Sequence, residues 1–339
     1  MKIALTADPE IAVPPEFYGG IERIIYLLAE SLYKQGHEVT LFAHKNSRIS
    51  GRIIPYRGTS SRSKADTLRN MLLISRTCLS DKFDIIHSFG RLAYLTPVLP
   101  LATPKLMSYQ REPTISQLSK ARKLSRASLS FTGCSRYISD QIAPFTPSHA
   151  IYNCVDFSQY DLQPQVSADA PLIFLGRVEP VKGPHLAIDI ALQTGRRLII
   201  AGNIPEEHQS YFDEKIRPFI DDKKIIYAGP VNDKQKNELL GAAAALLMPI
   251  EWNEPFGIVM IEAMACGTPV LGLSRGAVPE VIDQDLTGFH TPDKNELASF
   301  VAQISGMNRR AVREQAQKRF DVPVITREYL NLYQQLISR

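Results

Sequence analysis

The sequence predicts an α/β protein with two doubly wound parallel sheets, and three observations lead to this prediction. Short apolar runs alternate with stretches of helical periodicity, as they do in proteins built from strand–helix–strand units. The chain has 339 residues, which is more than a single hydrophobic core usually serves. A polar stretch from Asp156 to Pro171 holds two prolines and no clean periodicity, so we expect it to link two halves of similar size.

The individual elements follow from the same patterns. The helix after Gly20 has one apolar face and ends at Gly36, and a last helix with one apolar face starts near Val324. The strands predicted in the first half are Ile3–Ala7, Val39–Ala43, Ile85–Phe89, Leu106–Tyr109, Ser130–Gly133 and Ala150–Asn153. The strands predicted in the second half are Leu172–Leu175, Arg197–Ala201, Ile225–Ala228, Ala245–Pro249 and Pro269–Leu273.

Composition excludes several classes of protein. No apolar run reaches the roughly 18 residues of a spanning helix, and the start from Met1 to Asp8 is too brief for a signal peptide. The four cysteines lack paired metal-ligand spacing, and the seven histidines form no HExxH motif. We therefore expect reduced thiols, a cytoplasmic protein and no metal or other cofactor.

Basic residues concentrate in the first half. Residues 1–160 hold 20 lysines and arginines against 12 acids, a net charge of +8, and the remainder carries −4. A helix predicted there has a basic stripe of Arg62, Arg69 and Arg76, and its other face consists of Leu68, Met71, Leu72 and Leu79. The stripe is either a solvated face or a surface for anionic lipid or a phosphate-bearing acceptor. Nucleic acid fits less well, because no aromatic-interleaved basic motif accompanies the charge.

The segment from Glu254 to Glu262 places two carboxylates eight positions apart around a predicted helix start, with Pro255 at the first helical position. Glu254 can accept hydrogen bonds from a polyol beside the free amides of that start. The residues that supply this cradle are Gly257, Ile258 and Val259. The alternative is a Glu that offsets the helix dipole, followed by an ordinary helical Glu.

Three further segments follow predicted strands, at the edge where open α/β sheets bind ligands. Arg177 can fork onto phosphate oxygens and Lys182 can add a point charge, unless both are ordinary surface cations. Gly19-Gly20 suits close approach of a phosphate, although a tight helix-capping turn would also explain it. His87 is either structural or in contact with a sugar. Neither a G-x-G-x-x-G fingerprint nor a P-loop occurs.

Together these segments resemble the retaining glycosyltransferases of family 4, which have the GT-B fold of two Rossmann-like domains facing across a cleft. Glu254 to Glu262 is similar to the E-x7-E signature of that family. The other similar segments, in the same order, are Phe17–Arg23, Asp84–Ser88, Ile151–Asp156, and Leu175–Arg177 with Lys182–Gly183. The resemblance implies an acceptor-side domain of residues 1–160, a nucleotide-sugar domain of residues 161–321, and a helix of about residues 322–339 that crosses back.

The resemblance also implies a role for each site residue. Arg177 and Lys182 hold the donor diphosphate and stabilise the leaving group. Glu254 contacts hydroxyls of the donor sugar, with the main-chain amides of Phe256, Gly257 and Ile258 nearby. Glu262 holds the ribose and the main chain near Val231 meets the base. The remaining implied contacts are those of Gly19 and Gly20 with the phosphates and of His87 with the sugar.

Three positions qualify the resemblance. Phe89 stands where many relatives have a second His, so Gly90 or Arg91 is expected to fill that space. Cys154 stands where the hinge usually has glycine. Asp283-Gln284-Asp285 has the form of a metal-binding D-x-D string, but it does not follow a nucleotide-binding strand and is predicted as a polar turn.

The implied function is metal-independent, retaining transfer of a sugar from a nucleotide-diphosphate sugar to a glycan, lipid-linked or small-molecule acceptor. Contact of the basic stripe with anionic lipid would place the protein peripherally at the inner membrane face. One alternative is a nucleotide-sugar-binding protein with weak or lost catalysis. Phe89 favours this alternative, and four intact residues disfavour it: Glu254, Glu262, Arg177 and Lys182. A nicotinamide-dependent oxidoreductase would share the sheets, but the sequence lacks its glycine fingerprint.

Overall fold

The computed structural model describes residues 1–16 and 19–339, which form two compact units. The first unit is Met1–Cys154 with Val322–Arg339, and the second is Val155–Asp321. The C-terminal helix therefore belongs to the first unit, as expected. The boundary lies before Val155 rather than after residue 160. Residues 155–160 join the second unit because the Arg313 guanidinium donates to the carbonyl oxygens of Phe157 and Tyr160, at 2.7 Å each.

The first unit contains a seven-stranded parallel sheet in the order β3-β2-β1-β4-β5-β6-β7. Its strands are β1 (Lys2–Thr6), β2 (Glu38–Ala43), β3 (Arg52–Pro55), β4 (Ile85–Ser88), β5 (Lys105–Tyr109), β6 (Leu129–Gly133) and β7 (Ser148–Ala150). Its first helices are α1 (Gly20–Lys34), α2 (Lys64–Asp81), α3 (Ile115–Ser125) and α4 (Arg136–Ile142). β1, β5 and β6 are buried almost throughout, as parallel strands covered on both faces must be.

The second unit contains a six-stranded parallel sheet in the order β10-β9-β8-β11-β12-β13. Its strands are β8 (Leu172–Leu175), β9 (Leu198–Ala201), β10 (Ile225–Gly229), β11 (Ala245–Met248), β12 (Val270–Leu273) and β13 (Gly288–Thr291). Its helices are α5 (Pro184–Thr194), α6 (Gln209–Lys215), α7 (Asp233–Ala242), α8 (Ile258–Ala265), α9 (Val278–Val281), α10 (Lys294–Leu297) and α11 (Arg309–Phe320). The helix that returns to the first unit is α12 (Val322–Ile337).

Each sheet has one point where the strand order reverses: between β1 and β4 in the first unit, and between β8 and β11 in the second. The loops that leave the carboxyl ends of these two strands run to opposite faces of the sheet, so a crevice opens between them. The predicted site segments that follow β8 and β11 therefore reach the same crevice.

Two strands were not predicted, and both lack the pattern of a buried strand. β3 reads Arg-Ile-Ile-Pro and lies at the edge of its sheet, where a charged residue and a proline are tolerated. β13 reads Gly-Phe-His-Thr and is also an edge strand. β7 pairs through residues 148–150, earlier than the predicted Ala150–Asn153.

The orientation of α2 differs from its prediction. Arg62 lies before the N-cap Ser63 and is outside the helix. The residues that α2 buries are Asn70, Ile74, Ser75 and Cys78. Asn70 faces inward because its side chain bonds both main-chain groups of Gly58, at 2.8 and 3.0 Å. The prediction that the leucines form a face apart from the basic stripe is wrong. Leu68, Leu72 and Leu79 are 50%, 45% and 63% exposed, and helical spacing puts them on the same side as Arg69 and Arg76. In the part of the chain that the structure describes, no helix is both long and apolar enough to cross a bilayer.

Candidate functional site

The crevice of the second unit brings together two residues that the sequence separates by 72 positions. Lys182 follows β8 and Glu254 follows β11, and these strands are neighbours in the sheet. The Lys182 ammonium Nζ lies 2.7 Å from Glu254 Oε2. Both side chains are largely buried, with 19% and 11% of their surfaces exposed. The two predicted segments therefore lie next to each other at the carboxyl edge of this sheet.

A glycine turn makes this approach possible. Gly183 has φ +73°, and a Cβ there would overlap the carbonyl oxygen of Pro249 at the end of β11. The main chains are also joined directly, because the Glu251 amide donates to the Val181 carbonyl at 2.9 Å. The turn before α5 is therefore held against the loop that carries Glu254, with no room for a side chain at position 183.

Trp252 completes this cluster and was not predicted. Its indole Nε1 donates to Glu254 Oε2 at 3.0 Å, and its ring centroid lies 4.7 Å from Lys182 Nζ. The residue is 38% exposed and is the only tryptophan in the chain. Both of these contacts reach Oε2 of Glu254, and neither involves Oε1. No motif indicated Trp252, and only its two-residue distance from Glu254 would have suggested it.

The helix that follows Glu254 begins later than predicted. α8 starts at Ile258 with Gly257 as its N-cap at φ +82°, so Pro255 precedes the helix and is not its first residue. Ile258 and Val259 form the first turn, where main-chain amides have no acceptor within the helix. Phe256 is 2% exposed and its ring packs 5.9 Å from that of Phe320, so only its main chain can face a ligand.

The carboxylate of Glu262, in α8, is held by two neighbouring side chains. Its Oε1 accepts from Lys236 Nζ at 2.5 Å and from the Tyr160 hydroxyl at 2.9 Å. Glu262 is 6% exposed. Val231 lies in the short loop between β10 and α7, and α7 supplies Lys236. Lys236 and Tyr160 were not predicted, because they lie 26 and 102 positions from Glu262 and no local pattern connects them.

Arg177 is turned towards a neighbouring carboxylate. It follows β8, and its Nη2 lies 2.9 Å from Oε1 of Glu179, whose side chain is only 6% exposed. His208 Nε2 lies 3.7 Å from the other oxygen of Glu179. Glu179 was not predicted. It holds the guanidinium at the carboxyl end of β8, so an incoming anion would compete with Glu179 for Arg177.

The predicted glycines of the first unit lie where α1 begins. Gly20 starts α1 and Gly19 is its N-cap, with no side-chain capping bond. A Cβ at Gly19 would lie 2.6 Å from the Pro15 side chain, so packing excludes a larger residue there. Phe17 and Tyr18 of the same predicted segment lie outside the described residues.

His87 does not occupy the position that a sugar contact requires. It is fully buried, and its Nδ1 and Nε2 lie 2.6 Å from the hydroxyls of Tyr333 and Ser108. Phe89 is also buried, with its ring centroid 4.2 Å from that of His87. Burial lowers the pKa of His87 to about 3, so the ring is neutral. The catalytic role predicted for His87 is therefore corrected to a structural one, which attaches α12 to β4 and β5.

The D-x-D string lies in a turn, as predicted. Asp283 Oδ1 lies 2.7 Å from an Arg319 nitrogen, and its Oδ2 accepts from Gln315 at 2.8 Å. Asp285 has φ +65°, which fits a tight reversal before β13. Asp283 therefore connects this turn to α11.

Each of the two units matches the model of a known protein family. Residues 18–159 match the model of Glycosyltransferase Family 4, and residues 164–319 match the model described as glycosyl transferases group 1. The chain belongs to the family 4 glycosyltransferases. Residues 160–163 separate the two matched segments and lie close to the boundary between the units of this family 4 protein, which falls between Cys154 and Val155.

Individual relatives agree with this assignment. The D-inositol 3-phosphate glycosyltransferase of Saccharomonospora viridis is 29% identical over 197 residues, which are 51% of this chain and 44% of that protein. The chain thus matches less than half the length of that curated relative. AviGT4, a glycosyltransferase of avilamycin A biosynthesis, is 25% identical with a TM-score of 0.75, over 99% of this chain and 98% of its own.

HepE from Anabaena, solved with UDP and glucose, also has a TM-score of 0.75. It is 20% identical, and the match covers 99% of this chain and 100% of that one. The fold of this family 4 glycosyltransferase is therefore GT-B.

Proposed function

We propose that this chain transfers a sugar from a nucleoside diphosphate sugar to an acceptor hydroxyl, with retention of configuration and without a metal ion. The observation that carries the proposal is the cluster of Lys182, Glu254 and Trp252 in the crevice of the second unit. Family membership supports the type of reaction. The complexes of HepE with UDP and with UDP-glucose support the class of donor.

In the proposed complex, one group of residues binds the sugar of the donor and another binds its nucleoside. Glu254 accepts a sugar hydroxyl through Oε1, while Lys182 and Trp252 hold its Oε2 in place. Glu262 accepts hydrogen bonds from the ribose, and Lys236 and Tyr160 hold its carboxylate in position. The main chain near Val231 contacts the base.

The proposed bond exchange takes place on one face of the sugar. The acceptor oxygen bonds to the anomeric carbon as the bond from that carbon to the diphosphate breaks, and a diphosphate oxygen takes the acceptor proton. Arg177, Lys182 and the amides of Ile258 and Val259 stabilise the negative charge that develops on the leaving group.

Nucleotide release tests this proposal. The purified chain is incubated with UDP-glucose or GDP-mannose, with and without acceptor sugars, and freed UDP or GDP is measured. We expect slow release without acceptor, no loss on addition of EDTA, and a rate about 100-fold lower in Lys182→Ala. Lys215→Ala, an exposed lysine on α6, is the matched control. Equal rates for Lys182→Ala and the control would contradict the proposed role, and loss with EDTA would contradict metal independence.

A second candidate is a protein that binds a nucleotide sugar with weak or lost catalysis. The burial of His87 and Phe89 favours it, because no imidazole from that strand reaches a ligand. Tight binding of the donor without any release of nucleotide, under the same conditions, would select this candidate.

A further inference from the structure

The outward face of α2 combines exposed leucines with arginines. Leu68, Leu72 and Leu79 are among the most exposed large apolar side chains of the described residues. Arg69 and Arg76 are exposed on the same side of the helix. Spacings of four and seven residues bring these five side chains onto one stripe. We call this set, Leu68, Arg69, Leu72, Arg76 and Leu79, the α2 face.

The helix is fixed with this face outward. Asn70 bonds the main chain of Gly58, and Ile74 and Cys78 are buried on the opposite side. Ser63 caps the first turn by accepting from the Asp66 amide at 3.2 Å. Rotation that would bury the leucines would break these contacts. The α2 face is therefore a surface that the folded first unit keeps exposed.

The charge around this face is positive. Arg62 and Lys64 lie at the N-terminal end of α2 and Lys82 at the C-terminal end, all of them exposed. The acids of the helix already have partners, since Asp66 pairs with Arg69 at 3.0 Å and Asp81 with Arg52 at 2.5 Å. Any partner of the α2 face therefore meets leucine side chains surrounded by cations.

We propose that the α2 face docks onto an anionic lipid bilayer. Leucines can enter the boundary between headgroups and acyl chains, while the arginines extend to lipid phosphates. A second copy of the chain fits less well, because a two-fold interface places the same residues against themselves and would oppose arginine to arginine. This inference does not depend on the proposed transfer reaction, because the α2 face shares no residue with the candidate site.

Vesicle sedimentation tests the proposal on the full chain. One set of vesicles consists of phosphatidylcholine alone, and the other is an equal mixture of phosphatidylcholine and phosphatidylglycerol. We expect sedimentation with the mixed vesicles at low salt, much less with the neutral vesicles, and a decrease as salt screens the arginines. Equal sedimentation with both kinds of vesicle, or none with either, would overturn the proposal.

Variants assign the binding to the α2 face. We expect Arg69→Gln and Arg76→Gln each to weaken partition into mixed vesicles about fivefold. We expect the combined change of Leu68, Leu72 and Leu79 to serine to weaken it on the order of tenfold. Circular dichroism melting of each variant identifies any variant that fails to fold. If the triple leucine variant fails to fold, the two arginine variants still test the proposal.

Two residues of the second unit serve as controls. Leu192→Ser on α5 removes a leucine that is 51% exposed. Arg217→Gln removes an exposed arginine that, like Arg69, pairs with an acid a few residues earlier in the chain. Neither should change sedimentation. If the controls lower it as much as the α2 variants do, the binding is nonspecific and the proposal fails. If the leucine variant changes the oligomeric state by light scattering but not the sedimentation, the α2 face binds a second copy instead.

Discussion

At the scale of single residues, Glu254 depends on two neighbours. Lys182 and Trp252 both contact its Oε2, and their own cation–π contact holds the ammonium and the indole together. Removal of one member of a largely buried charged pair leaves the other without compensation, and this costs more than the pair itself contributes. The three side chains should therefore respond to mutation as a unit.

Trp252→Phe isolates the contribution of the indole N–H. The phenyl ring keeps apolar contact with Lys182 but cannot donate to Glu254, so we expect kcat/KM for the donor to fall about tenfold. The affinity for the free nucleotide should stay unchanged, because the proposed role of Glu254 concerns the sugar. Steady-state kinetics and calorimetry with UDP and GDP measure the two quantities. Equal losses in both would show that Trp252 supports the fold of the site rather than the sugar contact.

The sequence predicted the charged residues of this site better than their partners. Glu254, Glu262 and Lys182 lie in short motifs that follow strands, and strand order then brings them to one edge. Lys236 and Tyr160 reach Glu262 from distant parts of the chain, so no window of sequence contains the contact. His87 was placed on the correct strand, but its side-chain direction depends on α12, which comes much later in the sequence.

At the scale of elements, the turn between β8 and α5 sets the position of Lys182. Gly183 has a positive φ and also lies against the Pro249 carbonyl. Gly195, at the other end of α5, has φ +66° but open space around its Cα. The two glycines therefore separate the cost of a strained dihedral from the cost of a steric clash.

Gly183→Ala should lower the free energy of unfolding by about 3 kcal/mol and displace Lys182 from Glu254. Gly195→Ala should cost about 1 kcal/mol, because only its backbone dihedral is strained. Urea denaturation followed by circular dichroism measures both changes, and nucleotide release measures the activity, which only Gly183→Ala should lose. Equal destabilisation by the two substitutions would show that the contact with Pro249 does not constrain the turn.

The connection of α12 to the first sheet depends on a neutral imidazole. Burial lowers the pKa of His87 to about 3, below its ordinary value of about 6.5. The unfolded chain takes up a proton below about pH 6.5 and the folded chain does not, so stability is full above that value and falls with pH beneath it. From about pH 7 to about pH 5 we expect His87 to account for a loss of about 2 kcal/mol.

Two variants attribute this dependence to His87. His87→Leu should be less stable at neutral pH but should lose the part of the pH dependence that belongs to the histidine. Tyr333→Phe removes one hydrogen bond and should cost about 1 kcal/mol at every pH while keeping the slope. Denaturant unfolding across the pH range measures all three proteins. A slope in His87→Leu equal to that of the wild type would show that another group is responsible.

At the scale of the whole molecule, alternation of strands and helices was enough to predict two parallel sheets, and the resemblance of several short segments predicted the family. The boundary between the units was less well predicted, because residues 155–160 are assigned by Arg313, which lies in α11. The edge strands β3 and β13 and the rotation of α2 were missed for a related reason. Their burial is set by distant neighbours rather than by their own periodicity.

The central claim is that the second unit binds a nucleotide through Glu262 and the crevice beside it. Calorimetric titration with UDP and with GDP tests it most directly, on the wild type, on Glu262→Gln, and on Glu214→Gln as an exposed control on α6. We predict that one nucleotide binds, that Glu262→Gln weakens it about tenfold, and that the control leaves it unchanged. If neither nucleotide binds, or if Glu262→Gln binds as tightly as the wild type, the site is not a nucleotide-sugar site and the proposed transfer reaction is wrong.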